Sequence, residues 1–273
     1  MNLLIWFRTK LRFWIIIYAI SATWTGVFAQ DTTDWLKLSF DYLEQNRLDS
    51  AEITLKLALE KDPTGALNPF LLNNLGTIQR RQGKNEAAVL SYTAALGQQP
   101  KNKIFIESRA ALFAAMGQSE NAIIDYSTLL SETPNDEEAL YQRGLLYLSI
   151  KKMELAEADF KQMLTINPDG LYARMGMAAL AKSQGDFEDA EKIYNYLLDK
   201  EPENSQLYAG RAELYLLLGK PGKAYNDVNK AIRLSDEENP YLYVTRYRAK
   251  LMLHEKKSAQ EDLDRAITLG YKP

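Results

Sequence analysis

Along most of the chain, apolar residues recur at helical spacing between turn-breaking positions. Ala122, Ile123, Tyr126, Leu129 and Leu130 share one side of a helix, with polar residues between them. Such stretches come in pairs, and the breakers keep a constant step. Pro100, Pro134, Pro168 and Pro202 are each 34 residues apart, and Gly83, Gly117, Gly185 and Gly219 lie on the same period with Lys151 filling the gap. Three further columns follow the period. Gly76, Ala110, Gly144, Ala178 and Ala212 form a small column, and Ala88, Ala122, Ala156, Ala190 and Ala224 an alanine column. Tyr92, Tyr126, Phe160, Tyr194 and Val228 form a bulky one.

Each column has a mechanical reason. Glycine supplies the positive backbone angle that ends the first helix of a pair. Proline cannot continue the second helix and separates one pair from the next. Small residues let the two helices approach closely, and the bulky column fills the space beyond. The spacing therefore predicts an all-α chain whose unit is helix, turn, helix.

This pattern resembles the tetratricopeptide repeat, which sets a small residue, an aromatic three later, a turn Gly, an Ala, an aromatic and a Pro along 34 residues. The segment RGLLYLSIKKMELAEADFKQMLTINP carries Gly144, Tyr147, Ala156, Phe160 and Pro168 in those places. The likeness runs from about Thr32 to Lys272, in seven units starting near 32, 69, 103, 137, 171, 205 and 242. It implies an α-solenoid wound as a right-handed superhelix.

The end units depart from the pattern. From Ala58 to Leu75, and from Ala231 to Arg248, the step is 17 residues, where central units take 14. In the last unit Arg248 to Ala259 spans 11 residues where Arg211 to Ala224 spans 13, and no turn glycine appears. Its second helix is accordingly the firmer expectation.

Aligning the units with one another reveals a charged pair that comes and goes together. Arg109, Arg143, Arg211 and Arg248 directly precede the small column, and their units carry Asp125, Asp159, Asp227 and Asp262. The other three units hold Leu38 with Thr54, Leu75 with Ser91, and Met177 with Ile193. A buried arginine stripped of its carboxylate costs several kcal/mol, roughly 3 to 5, so joint presence points to structural ion pairs. The alternative is an anion site on the surface, which would not require an aspartate in the same unit.

Composition adds a leader. Arg8, Lys10 and Arg12 precede the apolar run Phe13 to Ile20, and Ser21 to Ala29 is softer, with Val27 and Ala29 small enough for a cleavage site before Gln30. Residues 1–29 read as a signal peptide and 30–273 as the solenoid, placing the protein in the periplasm or outside the cell. The alternative is a retained inner-membrane anchor, the only membrane contact expected. The leader holds three basic and no acidic residues, which leaves 30 basic against 36 acidic and a net charge of −6. That balance argues against nucleic acid as a partner. Zero cysteines excludes disulfides, thiolate nucleophiles and lipid attachment at cysteine.

Little material for catalysis remains. His254 is the sole histidine, and no metal cluster of His and Cys can be built. Ser149 and Lys152 form a Ser-x-x-Lys string without the companion motifs that give it meaning. Asp136, Glu137 and Glu138 open a helix, where negative charge suits the dipole. No catalytic, cofactor or metal residue is expected, and a hydrolase or sugar-binding enzyme is the distant alternative to an adaptor.

The resemblance implies instead that first helices line a concave groove for a peptide or partner helix. Its places fall at Leu36 and Phe40; at Phe70, Asn73, Thr77 and Arg80; and at Glu107 and Ala111. They continue at Tyr141 and Leu145, then at Tyr172, Met175 and Lys182, and at Glu213. Tyr141 and Tyr172 are the aromatic candidates for peptide contact. A subfamily that grips chaperone tails uses lysines and asparagines on three units. Here only Asn74 could match, because Leu36, Phe40, Ile104 and Ser108 hold the other places. At the C-terminal edge, Leu263, Ala266 and Ile267 are candidates for contact with a second subunit or another protein, the alternative being a small exposed edge. An adaptor in cell-envelope assembly is the resulting expectation.

Overall fold

The computed structural model describes residues 28–235 and 238–273, and the leader falls outside them apart from its last two positions. The fourteen helices among these residues form seven helix-turn-helix pairs. They are α1 (Phe28–Glu44) with α2 (Leu48–Lys61), α3 (Asn68–Arg81) with α4 (Asn85–Gln98), and α5 (Lys103–Ala115) with α6 (Ser119–Glu132). Next come α7 (Glu137–Ser149) with α8 (Met153–Ile166), and α9 (Leu171–Gln184) with α10 (Phe187–Lys200). The last are α11 (Ser205–Leu217) with α12 (Pro221–Leu234), and α13 (Pro240–Met252) with α14 (Lys256–Thr268). The chain divides into two compact units within α7, between Leu146 and Tyr147.

The turn inside every pair is built the same way. Its central residue has positive φ: Asn46, Gly83, Gly117, Lys151, Gly185, Gly219 and His254. The next residue's N–H closes a six-residue ring back to the first helix, as in Lys84 to Gln79 O at 2.9 Å and Glu255 to Lys250 O at 2.9 Å. Between pairs, the proline is followed two residues later by a cap. Asn102, Asn204 and Asp136 accept from Ile104 N, Gln206 N and Ala139 N at 3.1, 3.0 and 3.1 Å.

The alanine column runs through all seven pairs, and Ala51, Ala88, Ala122, Ala156, Ala190, Ala224 and Ala259 are fully buried. The bulky column explains three of the glycines. A Cβ on Gly76 would meet the Tyr92 ring at 2.8 Å, one on Gly176 the Phe160 ring at 2.4 Å, and one on Gly210 the Tyr194 hydroxyl at 2.6 Å. Tyr92, Phe160 and Tyr194 thus lie against bare backbone of first helices.

The last unit corrects the expectation. It begins at Pro240 rather than near 242, and its two helices each follow their counterparts in the preceding unit by 35 residues. His254 takes the turn place of Gly219 with φ 65°. The connector is therefore one residue longer than a central one, and the unit is regular in both helices. The C-terminal edge is also corrected. Ala266 is fully buried within its pair and Leu263 is half-buried, while Ile267 is exposed.

Candidate binding face

In the first unit α3 packs against α5, and in the second α9 packs against α11 and α11 against α13. Within each unit these first helices thus stand side by side. The places expected to line this face are nearly all half-buried: Phe70, Thr77, Arg80, Glu107, Tyr141 and Leu145 in the first unit. In the second unit the same holds for Tyr172, Met175, Lys182 and Glu213. Asn73 is deeper, at 8% exposure. Leu36 instead packs into the core of the first pair.

Phe70 also reaches the neighbouring first helix. The Phe70 and Phe105 rings meet edge to face at 5.3 Å. The Thr77 and Tyr92 hydroxyls lie 3.1 Å apart, which brings the bulky column's polar tip up to the ninth place of its own unit. One pair on, Ala111 holds that ninth place. The Tyr126 hydroxyl is buried with no hydrogen bond, and so are Asn73 Oδ1 and Glu107 Oε1. Lys103 reaches Glu107 Oε1 only at 3.5 Å, because it is bonded to Asp136. Burial first, and the charge of Glu138 second, push Glu107 up to about 7, against the opposing pull of Lys103.

The second unit is differently charged. Lys182 Nζ donates to Glu213 Oε2 at 2.9 Å. Burial raises the Glu213 carboxyl, and Lys182 first and Arg248 after it act in the opposite direction.

Two family models described as "Tetratricopeptide repeat" match the sequence, one at residues 147–214 and 181–241 and the other at 73–137 and 107–170. Together they cover more than half of the chain. The crystal structure of a tetratricopeptide repeat protein from Parabacteroides merdae is 43% identical, with TM-score 0.77 over 89% of this chain and 94% of that one. The chain is a tetratricopeptide repeat protein. As such it is a scaffold for protein–protein interaction.

Other solved structures share the fold at lower identity. PilW, described as a type IV pilus biogenesis factor, is 19% identical, with TM-score 0.54 over 71% of this chain and 90% of its own. Pseudomonas aeruginosa PilF is 18% identical, with TM-score 0.57 over 84% and 99%. No curated protein matches the sequence.

Within this tetratricopeptide repeat protein the charged pairs are geometric clamps. Arg109 Nε and Nη2 donate to Asp125 Oδ2 and Oδ1 at 3.0 and 2.7 Å, and Arg211 grips Asp227 in the same way at 2.7 and 2.9 Å. Arg143 Nη1 donates to Ser127 Oγ at 3.1 Å, and Asp159 is buried in the second unit. The fourth expected pair is wrong in one member. Asp262 is held by Arg246 at 2.9 and 2.6 Å and by Lys250 at 2.8 Å, while Arg248 is exposed. Arg246 to Ala259 spans 13 residues, the same step as Arg211 to Ala224, so the register error came from placing the small column at Ala249. Tyr247 holds the small place in that unit. Arg248 thereby becomes a ninth-place residue of the face, equivalent to Glu213.

A third partner was missed. Each guanidinium's remaining nitrogen donates to the preceding unit's second helix: Arg109 to Thr93 at 3.0 Å, Arg211 to Asn195 at 2.7 Å and Arg246 to Asn229 at 2.9 Å. The signal was available as a polar residue 16 or 17 positions before each arginine. Where the arginine is absent, Ser91 is satisfied by Gln79 at 2.7 Å, and Ile193 joins an apolar cluster.

The remaining candidates have plain positions. His254 is exposed at a turn, and Ser149 and Lys152 flank another. Among the described residues no group of three or more His, Cys, Asp or Glu is arranged to hold a metal ion, and no helix is long and apolar enough to cross a membrane.

Proposed function

We propose that this tetratricopeptide repeat protein is exported and works in cell-envelope assembly, holding an extended peptide or a partner helix on its first-helix faces. One observation carries the reading. Asn73 Oδ1 and Glu107 Oε1, on adjacent first helices of the first unit, are buried without a hydrogen bond. A buried polar atom left unmade costs about 1 to 3 kcal/mol, which a bound main chain or side chain would recover. The aromatic and aliphatic places beside them, Phe70 and Leu145, supply apolar contact. Export is supported by the charged and apolar organisation of residues 1–29.

Photo-crosslinking in the native envelope tests both parts. A photoreactive residue at Thr77 or Met175 should yield a discrete adduct, and one at Lys192, exposed on α10, should not. The same adduct pattern from all three would remove the face from the mechanism. The mass of the purified protein separates a chain beginning at Gln30 from one that keeps the leader as an anchor.

A further inference from the structure

The rung around Glu107 is short of hydrogen-bond donors. Among the described residues six side-chain atoms of the first unit are buried without a hydrogen bond, and four of them are Asn73 Oδ1, Glu107 Oε1, Tyr126 Oη and Gln142 Oε1. Asn73 and Glu107 hold the same place on the contacting helices α3 and α5. Tyr126 is fully buried, and its hydroxyl lies in the field of Glu107, Glu138, Asp125 and Asp136. Tyr92, its counterpart, meets Thr77 at the ninth place; in the repeat of Tyr126 that place is Ala111, which offers no hydroxyl, and the Tyr126 hydroxyl has no hydrogen bond. The charge is uneven as well. Glu107, Glu138 and Asp136 face one lysine, Lys103, which is bonded to Asp136.

We propose that Asn73, Glu107 and Tyr126 form a subsite for a basic side chain, lysine or arginine, of the peptide that the first unit binds. The proposal rests on the groove reading and gives its partner a chemistry. A lysine ammonium brings three donors and no acceptor, and a guanidinium five, which is what a set of buried acceptors lacks. A small metal ion is a poorer match, because the acidic groups do not converge into a metal-type cluster among the described residues. The charge order differs in the second unit, where Lys182 already neutralises Glu213 at 2.9 Å.

The test selects from a phage-displayed library of random dodecapeptides against the full chain and its Glu107→Gln variant. The unaltered chain should return peptides with lysine or arginine fixed at one position, and the variant should lose that preference. Replacing the basic residue of a selected peptide with norleucine should weaken binding to the unaltered chain about tenfold and to Glu107→Gln little. Tyr126→Phe removes only the hydroxyl, keeps the ring in its column, and should weaken the same peptide about threefold. It carries the test if Glu107→Gln does not fold. Selected peptides without a fixed basic residue, or with one that Glu107→Gln and Tyr126→Phe bind equally well, would overturn the subsite and leave the groove standing. Selection of nothing by any chain would remove both.

Discussion

Arg246 and Asp262, 16 residues apart, meet as a fork on a carboxylate, Nε to Oδ2 at 2.9 Å and Nη2 to Oδ1 at 2.6 Å. The remaining Nη1 donates to Asn229 in the preceding pair at 2.9 Å, so one side chain ties three helices. Asp262 is 4% exposed and also takes Lys250. Asp262→Ala strands two cations and should cost about 3 kcal/mol. Arg246→Ala leaves Lys250 on the carboxylate and should cost less, about 2 kcal/mol. Arg248→Ala should stay within about 0.5 kcal/mol. Urea titration of the three variants checks the order, and equal midpoints for Arg246→Ala and Arg248→Ala would contradict it.

Turn geometry gives a second prediction with opposite signs at equivalent places. Lys151 holds φ at 60°, where Gly117 holds it at 74° in the preceding pair. A Cβ on Gly117 would touch nothing within 4 Å, so Gly117→Ala carries backbone strain alone. It should lose about 1 kcal/mol. Lys151→Gly relieves the same strain against the greater chain entropy of glycine, and a gain of up to about 1 kcal/mol is expected. Calorimetric melting shows the signs directly.

Much of this fold was legible because its constraints repeat. A turn glycine, a buried alanine and a connector proline do the same mechanical task in each pair, so any one unit explains the others. Legibility failed where a different residue met the same constraint. His254 supplies the positive φ without being glycine, and Tyr247 holds a place that is small elsewhere; both hid the register of the last unit and promoted Arg248 over Arg246. The binding face was readable only as positions. Its hydrogen-bond deficit depends on which atoms are buried together, as when Tyr92 reaches Thr77 while the Tyr126 hydroxyl is left unbonded, and residue types along the sequence do not report burial atom by atom.

Packing between pairs of the second unit yields a third prediction. Gly176 lies under the Phe160 ring, and an added Cβ would come within 2.4 Å of it. Gly176→Ala should therefore destabilise by about 2 kcal/mol through overpacking, although alanine favours helix elsewhere. Phe160→Leu removes the ring edge and opens space. The double variant should be more stable than the sum of the single changes implies, by about 1 kcal/mol, a coupling that a double-mutant cycle reads out.

Glu107 makes stability depend on pH in an unusual direction. Its carboxyl titrates at about 7 in the folded chain and near 4.5 when unfolded, chiefly because burial disfavours the charge. Between those values the folded chain binds a proton that the unfolded chain has released, so raising the pH pulls toward unfolding. The effect is absent below about pH 4.5, grows through the interval, and levels off above about pH 7 at up to roughly 3 kcal/mol. Glu107→Gln has no such proton to lose. The variant should match the unaltered chain at acid pH and exceed it at neutral pH, which paired urea titrations across the interval would reveal. A basic peptide side chain seated on the carboxylate should cancel part of the difference, since it favours the charged form that burial penalises. A stability gap between the two chains that stays flat from acid to neutral pH would mean that Glu107 is charged throughout, with Lys103 as its sufficient partner.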